Sequence, residues 1–302
     1  MRIVSMLSSA TEIVYALGLQ DHLVGISHEC DYPPESQGYP RTSRSRFDPT
    51  GLTSGEIDAE VRRCMQEWGS VYEVDTRLLR SLHPDMVLTQ AVCEVCAVPT
   101  GSVHEAVADL PSRPQVVSLD AHTLEEIFGT MQQVADVMEV PERGHHVVAG
   151  LRQRIAEVSE RVGSRERVRT LALEWLDPPF APGHWLPEIV EHAGGENLLG
   201  TAGSHSAEVP WEQLAGIDPD CLLLLPCGWD LEQARADADR ARERLNAIAG
   251  RAIQAGNAWI GHGSYFSRSG PRVVDGIEAL AHVLHPSAFP DAPLAGRLEA
   301  WQ

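Results

Sequence analysis

The chain has 302 residues and a formal charge of −19, from 43 acidic against 24 basic side chains. That balance argues against nucleic acid or an anionic membrane surface as partner, and no apolar run approaches the roughly 20 residues that insertion into a bilayer requires. Six cysteines in a chain of this length are not a disulfide framework, and the length suffices for two ordinary domains, each with its own core.

Met1-Arg2-Ile3-Val4-Ser5-Met6 runs straight into the first expected strand, without the basic segment, apolar core and cleavage site of a secretory signal. Taken as native, this start predicts a cytoplasmic protein with reduced thiols; taken as a chain already trimmed of its signal, it is equally compatible with a periplasmic or extracellular one.

The expected elements alternate between strand and helix. A strand at residues 3–5 leads to a helix at 10–17, capped by Ser8 or Ser9 and stopped by Gly18. The next strand, 23–26, delivers Ser27-His28-Glu29-Cys30 at its carboxyl end, and Asp31-Tyr32-Pro33-Pro34 then turns the chain. Residues 41–53 are polar and basic and are expected to be a loop. Helices follow at 57–68 and 78–82, then a strand at 85–88 that is apolar on both faces, as a buried parallel strand is. It opens into Thr89-Gln90-Ala91-Val92-Cys93-Glu94-Val95-Cys96. The two-residue spacer lets both sulfurs turn toward one point, as a metal ion or a redox disulfide requires. A strand at 116–119 and an amphipathic helix at 124–138 complete this region.

Pro141 suits the first turn of a long helix reaching Val162, which at 1.5 Å per residue spans about 30 Å. The α/β pattern then begins again: strands at 168–173, 221–225 and 257–260, and helices at 186–192, 211–214, 231–249 and 272–284. The expected division is therefore an amino-terminal α/β lobe (1–140), a linking helix (141–163), a carboxyl-terminal α/β lobe (164–286) and a peripheral tail (287–302) that is rich in proline and alanine.

An ordered set of short motifs resembles the substrate-binding proteins of ABC importers for vitamin B12 and iron-siderophores, the class III periplasmic binding proteins. In the first half they are Leu7-Ser8-Ser9-Ala10-Thr11-Glu12, Gly25 with Asp31-Tyr32-Pro33-Pro34, and Pro84-Asp85-Met86-Val87. In the second they are Asp177-Pro178-Pro179-Phe180, Gly194-Gly195-Glu196-Asn197, Val209-Pro210-Trp211 and Ser267-Arg268-Ser269-Gly270-Pro271-Arg272. The resemblance covers residues 2 to about 286. It implies two Rossmann-like α/β lobes joined by one long helix, with a cobalamin or another metal chelate held in the interlobe cleft and an ABC permease as partner. It also implies that Phe180, Trp211, Tyr265 and Arg268 stack on or pair with a flat, polar-rimmed ligand. The first lobe departs from the pattern, with Glu29 and Gln90 where the B12 binders carry aromatics.

In place of those aromatics the chain offers thiols and imidazoles. His28 and Cys30 follow one strand, and Cys93 and Cys96 another; Cys227, His262 and His184 belong to loops of the second lobe. Mixed thiolate and imidazole donors suit zinc or iron, or an axial contact to a chelated metal. A cytoplasmic Cys/His metal-binding protein and a metalloenzyme on the same fold, with Glu29 or Glu174 as base, are the alternatives to a solute-binding module. No nucleophile–base arrangement, phosphate loop or dinucleotide fingerprint is visible, so no catalytic residue is assigned. Simpler readings stand beside these: Cys64 and Cys221 as core, His145-His146 as a solvated pair, and Trp175, Trp211 and Tyr265 as lobe core.

Overall fold

The structure, a computed structural model, describes residues 1–92 and 98–302. Cys93 and Cys96 lie outside the described residues. The chain forms two compact units. The first comprises residues 1–52, 56–121 and 125–148, and the second comprises 53–55, 122–124 and 149–302.

In chain order the first unit carries β1 (Ile3–Ser5), α1 (Ser8–Ala16), β2 (Leu23–Ile26), β3 (Ser43–Ser45), α2 (Ser54–Trp68), β4 (Tyr72–Val74), α3 (Thr76–Leu82), β5 (Met86–Thr89), α4 (Thr100–Val107), β6 (Gln115–Ser118) and α5 (Leu124–Val137), except that Ser54 and Gly55 of α2 and Leu124 of α5 belong to the second. Its main sheet has the order β2-β1-β5-β6 and is wholly parallel. β1 and β5 are buried along their whole length because they are central and covered on both faces. Val4, Met6, Leu79, Val87, Val98, Val103, Val107 and Leu110 form one continuous cluster between this sheet and α3 and α4. The polar segment expected to be a loop contains β3, which pairs antiparallel with β4. Its Ser-Arg-Ser sequence carries no apolar signal, so only the distant partner strand defines it.

α6 (Pro141–Val162) passes from the first unit into the second. In the first unit Arg143 donates to the carbonyls of Leu17 and Gly18, both at 3.1 Å, where α1 ends. In the second, Arg154 forms a bidentate pair with Glu278 (2.8 and 2.7 Å) and also reaches Asp275.

The second unit continues with β7 (Val168–Leu173), β8 (Trp175–Leu176), β9 (Pro179–Ala181), α7 (Leu186–His192), β10 (Gly195–Asn197), β11 (Ala207–Glu208), α8 (Trp211–Leu214), β12 (Cys221–Leu224), α9 (Leu231–Arg240), α10 (Arg242–Gln254), β13 (Ala258–Gly261), α11 (Gly263–Phe266), α12 (Val273–Leu284) and β14 (Leu298–Ala300). Its five-stranded sheet has the order β10-β7-β12-β13-β14, parallel except for β14. The charged stretch after β12 is two helices rather than one, parted at Ala241; Asp230 caps the first with a full capping box. The tail is not peripheral. β14 pairs with β13, and Trp301 is fully buried while its indole N–H donates to Asp239 at 2.9 Å. One aromatic at the chain end outweighs the loop-like composition before it, because its burial removes a large apolar surface from water.

Arg154 tests how α6 is held in the second unit. Arg154→Ala is expected to lower stability by about 1–2 kcal/mol, since the pairs are bidentate but partly open to water. Arg154→Lys should recover only part of this, having lost the fork. Urea denaturation of the three proteins measures both.

Candidate functional site

In each unit the connections leave the sheet in opposite directions from a central pair of strands. In the second unit the chain passes from β7 through α7 to β10 on one side and on to β12 on the other, which makes β7/β12 the switch point. Ligands of open α/β sheets bind outside the carboxyl ends of the strands at such points.

Three carboxyl ends meet there. β7 ends at Glu174 and Trp175, β12 at Cys227 and Trp229, and β13 at His262 and Tyr265. The backbone ties them together: Cys227 N–H donates to the Glu174 carbonyl at 3.2 Å, and Gly263 N–H to that of Trp229 at 2.8 Å. The Trp175 and Trp229 rings lie 4.9 Å apart at 55°. Trp175 is half-buried, and its indole N–H reaches the Ser54 carbonyl at 3.3 Å. Ser54 in turn donates through its hydroxyl to the buried Asp237 at 2.8 Å; burial pushes the Asp237 carboxyl above the usual aspartate range, against the hydrogen bonds from Ser54.

The other residues singled out in this unit lie after β13, in the β8–β9 hairpin and at the start of α8. Tyr265 packs edge-on to His262, with ring centroids 6.0 Å apart, and Arg272 and Arg297 lie over its ring at 5.2 and 5.6 Å. The His262 ring nitrogen caps α11 by accepting from Ser264 N–H at 3.1 Å. Phe180 stands opposite Trp175 in the β8–β9 hairpin. Trp211 is half-buried at the start of α8 beneath Arg244, 5.6 Å from its ring. Arg268 is half-buried in the segment after α11.

Glu174 fixes two neighbouring loops. One carboxylate oxygen accepts from Gly183 N–H at 3.2 Å, and the other accepts from the Ser206 hydroxyl. Gly183 is packed so closely that a Cβ there would lie 2.6 Å from the Ser204 carbonyl oxygen, within the backbone of the facing loop. His184, at φ +50°, donates its N–H to the Ser204 carbonyl at 2.6 Å and accepts from Gly203 N–H at 2.9 Å. The result is an assembly that no local motif announces. His122, His184 and His205 present ring nitrogens all within 4.8 Å of one another. Among the described residues this is the one group of three or more His, Cys, Asp or Glu side chains so arranged. Burial, then the neighbouring His205 and His122, lowers His184 to about 4, so its imidazole is neutral. His122 and His205 were not apparent in the sequence, because they lie 62 and 21 residues from His184 on unrelated loops.

In the first unit β1/β5 is the switch point, and Gln90, at the end of β5, is buried. The His28 ring is 4.9 Å from that of Tyr72, and its Nδ1 is 2.9 Å from the Ser43 hydroxyl; Nε2 lies 3.4 Å from the exposed Glu29. Burial lowers the pKa of His28, with Glu29 opposing that shift and Arg41 adding to it. Cys30 does not join His28. It is fully buried, against the hydroxyls of Thr11 (3.0 Å) and Ser27 (3.2 Å). Cys64 and Cys221 are buried, and burial raises the Cys221 thiol to about 12.

Residues 3–254 match the family described as periplasmic binding protein. The chain belongs to that family. It is a solute-binding protein by descent, and the two parallel α/β units are the class III form of the fold. It is similar to the vitamin B12-binding protein of Vibrio cholerae serotype O1, with 23% identity over 287 residues covering 94% of this chain and 88% of the relative. An ABC transporter substrate-binding lipoprotein of Bacillus subtilis strain 168 is 20% identical over 299 residues, covering 95% and 81%. The solved periplasmic heme binding protein of Pseudomonas aeruginosa superposes with a TM-score of 0.74 at 20% identity, over 100% of this chain and 98% of its own. No helix among the described residues is long and apolar enough to cross a membrane.

Two predictions follow from Glu174 and Gly183. Burial pushes the Glu174 carboxyl up to about 7 from its ordinary 4.5. A carboxyl raised in the folded state binds a proton on folding between those values. Its stabilisation is complete below pH about 4.5 and lost as pH rises through about 7. Wild type should therefore lose on the order of 2–3 kcal/mol relative to Glu174→Gln between pH 5 and 8, read from paired denaturation curves. Gly183→Ala should destabilise by about 1–3 kcal/mol at any pH, since two backbones must part to admit the methyl.

Proposed function

We propose that this protein is the substrate-binding component of an ABC importer and that its solute is a metal–tetrapyrrole, a cobalamin or a heme. The observation that carries this reading is the Trp175–Trp229 pair at the switch point of the second unit, in a chain that belongs to the periplasmic binding protein family. A corrin or porphyrin is broad, flat and apolar on its faces, with polar groups at its rim. Trp175, half-buried and backed by the buried Trp229, supplies stacking area at a sheet edge at little entropic cost, and guanidinium groups such as Arg268 pair with rim carboxylates or amides in a planar, bidentate manner. Relatives named for vitamin B12 and a structural neighbour named for heme support the same ligand class. Phe180, Tyr265 and Trp211 belong to the same proposed surface of the second unit.

In this role the protein binds and releases its solute unchanged, and performs no catalysis. Its partner is a permease that accepts the loaded binding protein outside the cytoplasmic membrane, in keeping with relatives named as lipoprotein and periplasmic protein.

Titration with cyanocobalamin, hemin and a ferric siderophore, followed by tryptophan quenching and the absorption of the chromophore, tests the assignment. One tetrapyrrole is expected to bind at one equivalent. Trp175→Ala should weaken it by about 1–3 kcal/mol, the range for loss of a stacked aromatic in a desolvated site. Binding of the siderophore with indifference to both tetrapyrroles would overturn the assignment.

A further inference from the structure

The three histidines brought together in the second unit are not among the residues proposed above to stack on or pair with a tetrapyrrole, and the one ligand atom that each offers lies within 4.8 Å of the other two. The ring centroids of His122 and His184 are 5.4 Å apart, those of His122 and His205 also 5.4 Å, and those of His184 and His205 5.2 Å. The Nδ1 atoms of His122 and His184 are 3.3 Å apart. Two nitrogens bound tetrahedrally to one zinc ion, at about 2.0–2.1 Å each, stand about 3.3–3.4 Å from one another.

Each segment bearing one of these histidines is also held from outside the cluster. Glu174 holds Gly183 and Ser206, the residues adjacent to His184 and His205. Glu188 accepts the N–H of Leu124 at 2.8 Å and so fixes the short segment that carries His122. Gly200, at φ +82°, could take no side chain without striking the Pro182 carbonyl, so the loop leading to His205 is seated on the loop leading to His184. His122 and His184 are half-buried and His205 is exposed.

We propose that His122, His184 and His205 form a site for a divalent transition-metal ion, zinc above all, with a fourth coordination position left to water or an incoming donor. Three neutral nitrogens without a carboxylate or thiolate select Zn²⁺, Co²⁺, Ni²⁺ or Cu²⁺ over Mg²⁺ and Ca²⁺, which require oxygen. The open position distinguishes this site from a closed structural zinc site, which has four protein ligands. The inference goes beyond the tetrapyrrole reading and does not depend on it.

The test uses the full chain with Cys93→Ser, Cys96→Ser and Cys227→Ser, which leaves only the buried thiols of Cys30, Cys64 and Cys221. Chelator-treated protein is titrated with cobalt chloride, whose visible bands report tetrahedral coordination, and with zinc chloride by calorimetry. One equivalent of either ion is expected, with zinc displacing cobalt. His205→Ala, at an exposed position, and His122→Ala should each weaken zinc binding at least roughly tenfold. His145→Ala with His146→Ala, on the exposed face of α6, should change nothing. Absence of one-equivalent binding would overturn the proposal. So would binding that survives both His205→Ala and His122→Ala with melting temperatures unchanged, for the ion would then be held elsewhere and the three imidazoles joined only by their own hydrogen bonds.

Discussion

The central strands of both sheets are covered on both faces, and this constraint governs where chemistry can occur. β1, β5 and β12 have no exposed residue, so each can carry only apolar or small side chains along its length. A polar or aromatic group with work to do must stand where the strand ends. In the second unit, Glu174, Trp175, Cys227, Trp229, His262 and Tyr265 do so within a few residues of the strands that position them. Because the strands are parallel and in register, their ends are brought together without any motif local to one of them. β7 and β12 pair from Cys221↔Thr170 to Leu224↔Leu173, and that register sets Trp175 beside Trp229.

Rigidity of the loops beyond that edge comes from backbone packing more than from side chains. Gly183 lies against residues 204–206 at a distance that no other residue tolerates, and Glu174 adds a carboxylate bridging the same two loops. The carboxyl is costly to ionise where it stands, which is why burial raises it despite two donors. A fixed rim of this kind lowers the ordering cost of capturing a solute. It also places the three imidazoles, since His184 and His205 are the direct neighbours of the clamped residues.

Much of this fold was legible because its main signals are local. The apolar runs at β5 and β12 and the uninterrupted helical pattern of α6 define those elements from a few adjacent residues. What escaped was defined by distant partners. β3 exists through β4, nearly thirty positions later; β14 exists through β13, and Trp301 shows its importance only by being buried. Charge obscured the break at Ala241, because Arg and Glu continue on both sides of it. The same division holds for the site. Cys227 and His262 stand at the strand ends where topology puts them, though neither joins the three-histidine group, whereas pairing His28 with Cys30 failed because the turn after β2 directs the thiol into the core. His122 and His205 lie on loops of no distinctive sequence, and only the folded chain brings them to His184.

The central claim is that solute binds at the carboxyl edge of the second sheet, where β7 and β12 part. Backbone hydrogen exchange with and without saturating cobalamin or hemin tests this without altering the protein. Residues 174–176 and 226–230 should gain protection on binding, while α10, which follows α9, should exchange as before. Protection confined to 231–254, or none at the β7 and β12 ends with ligand demonstrably bound, would contradict the account.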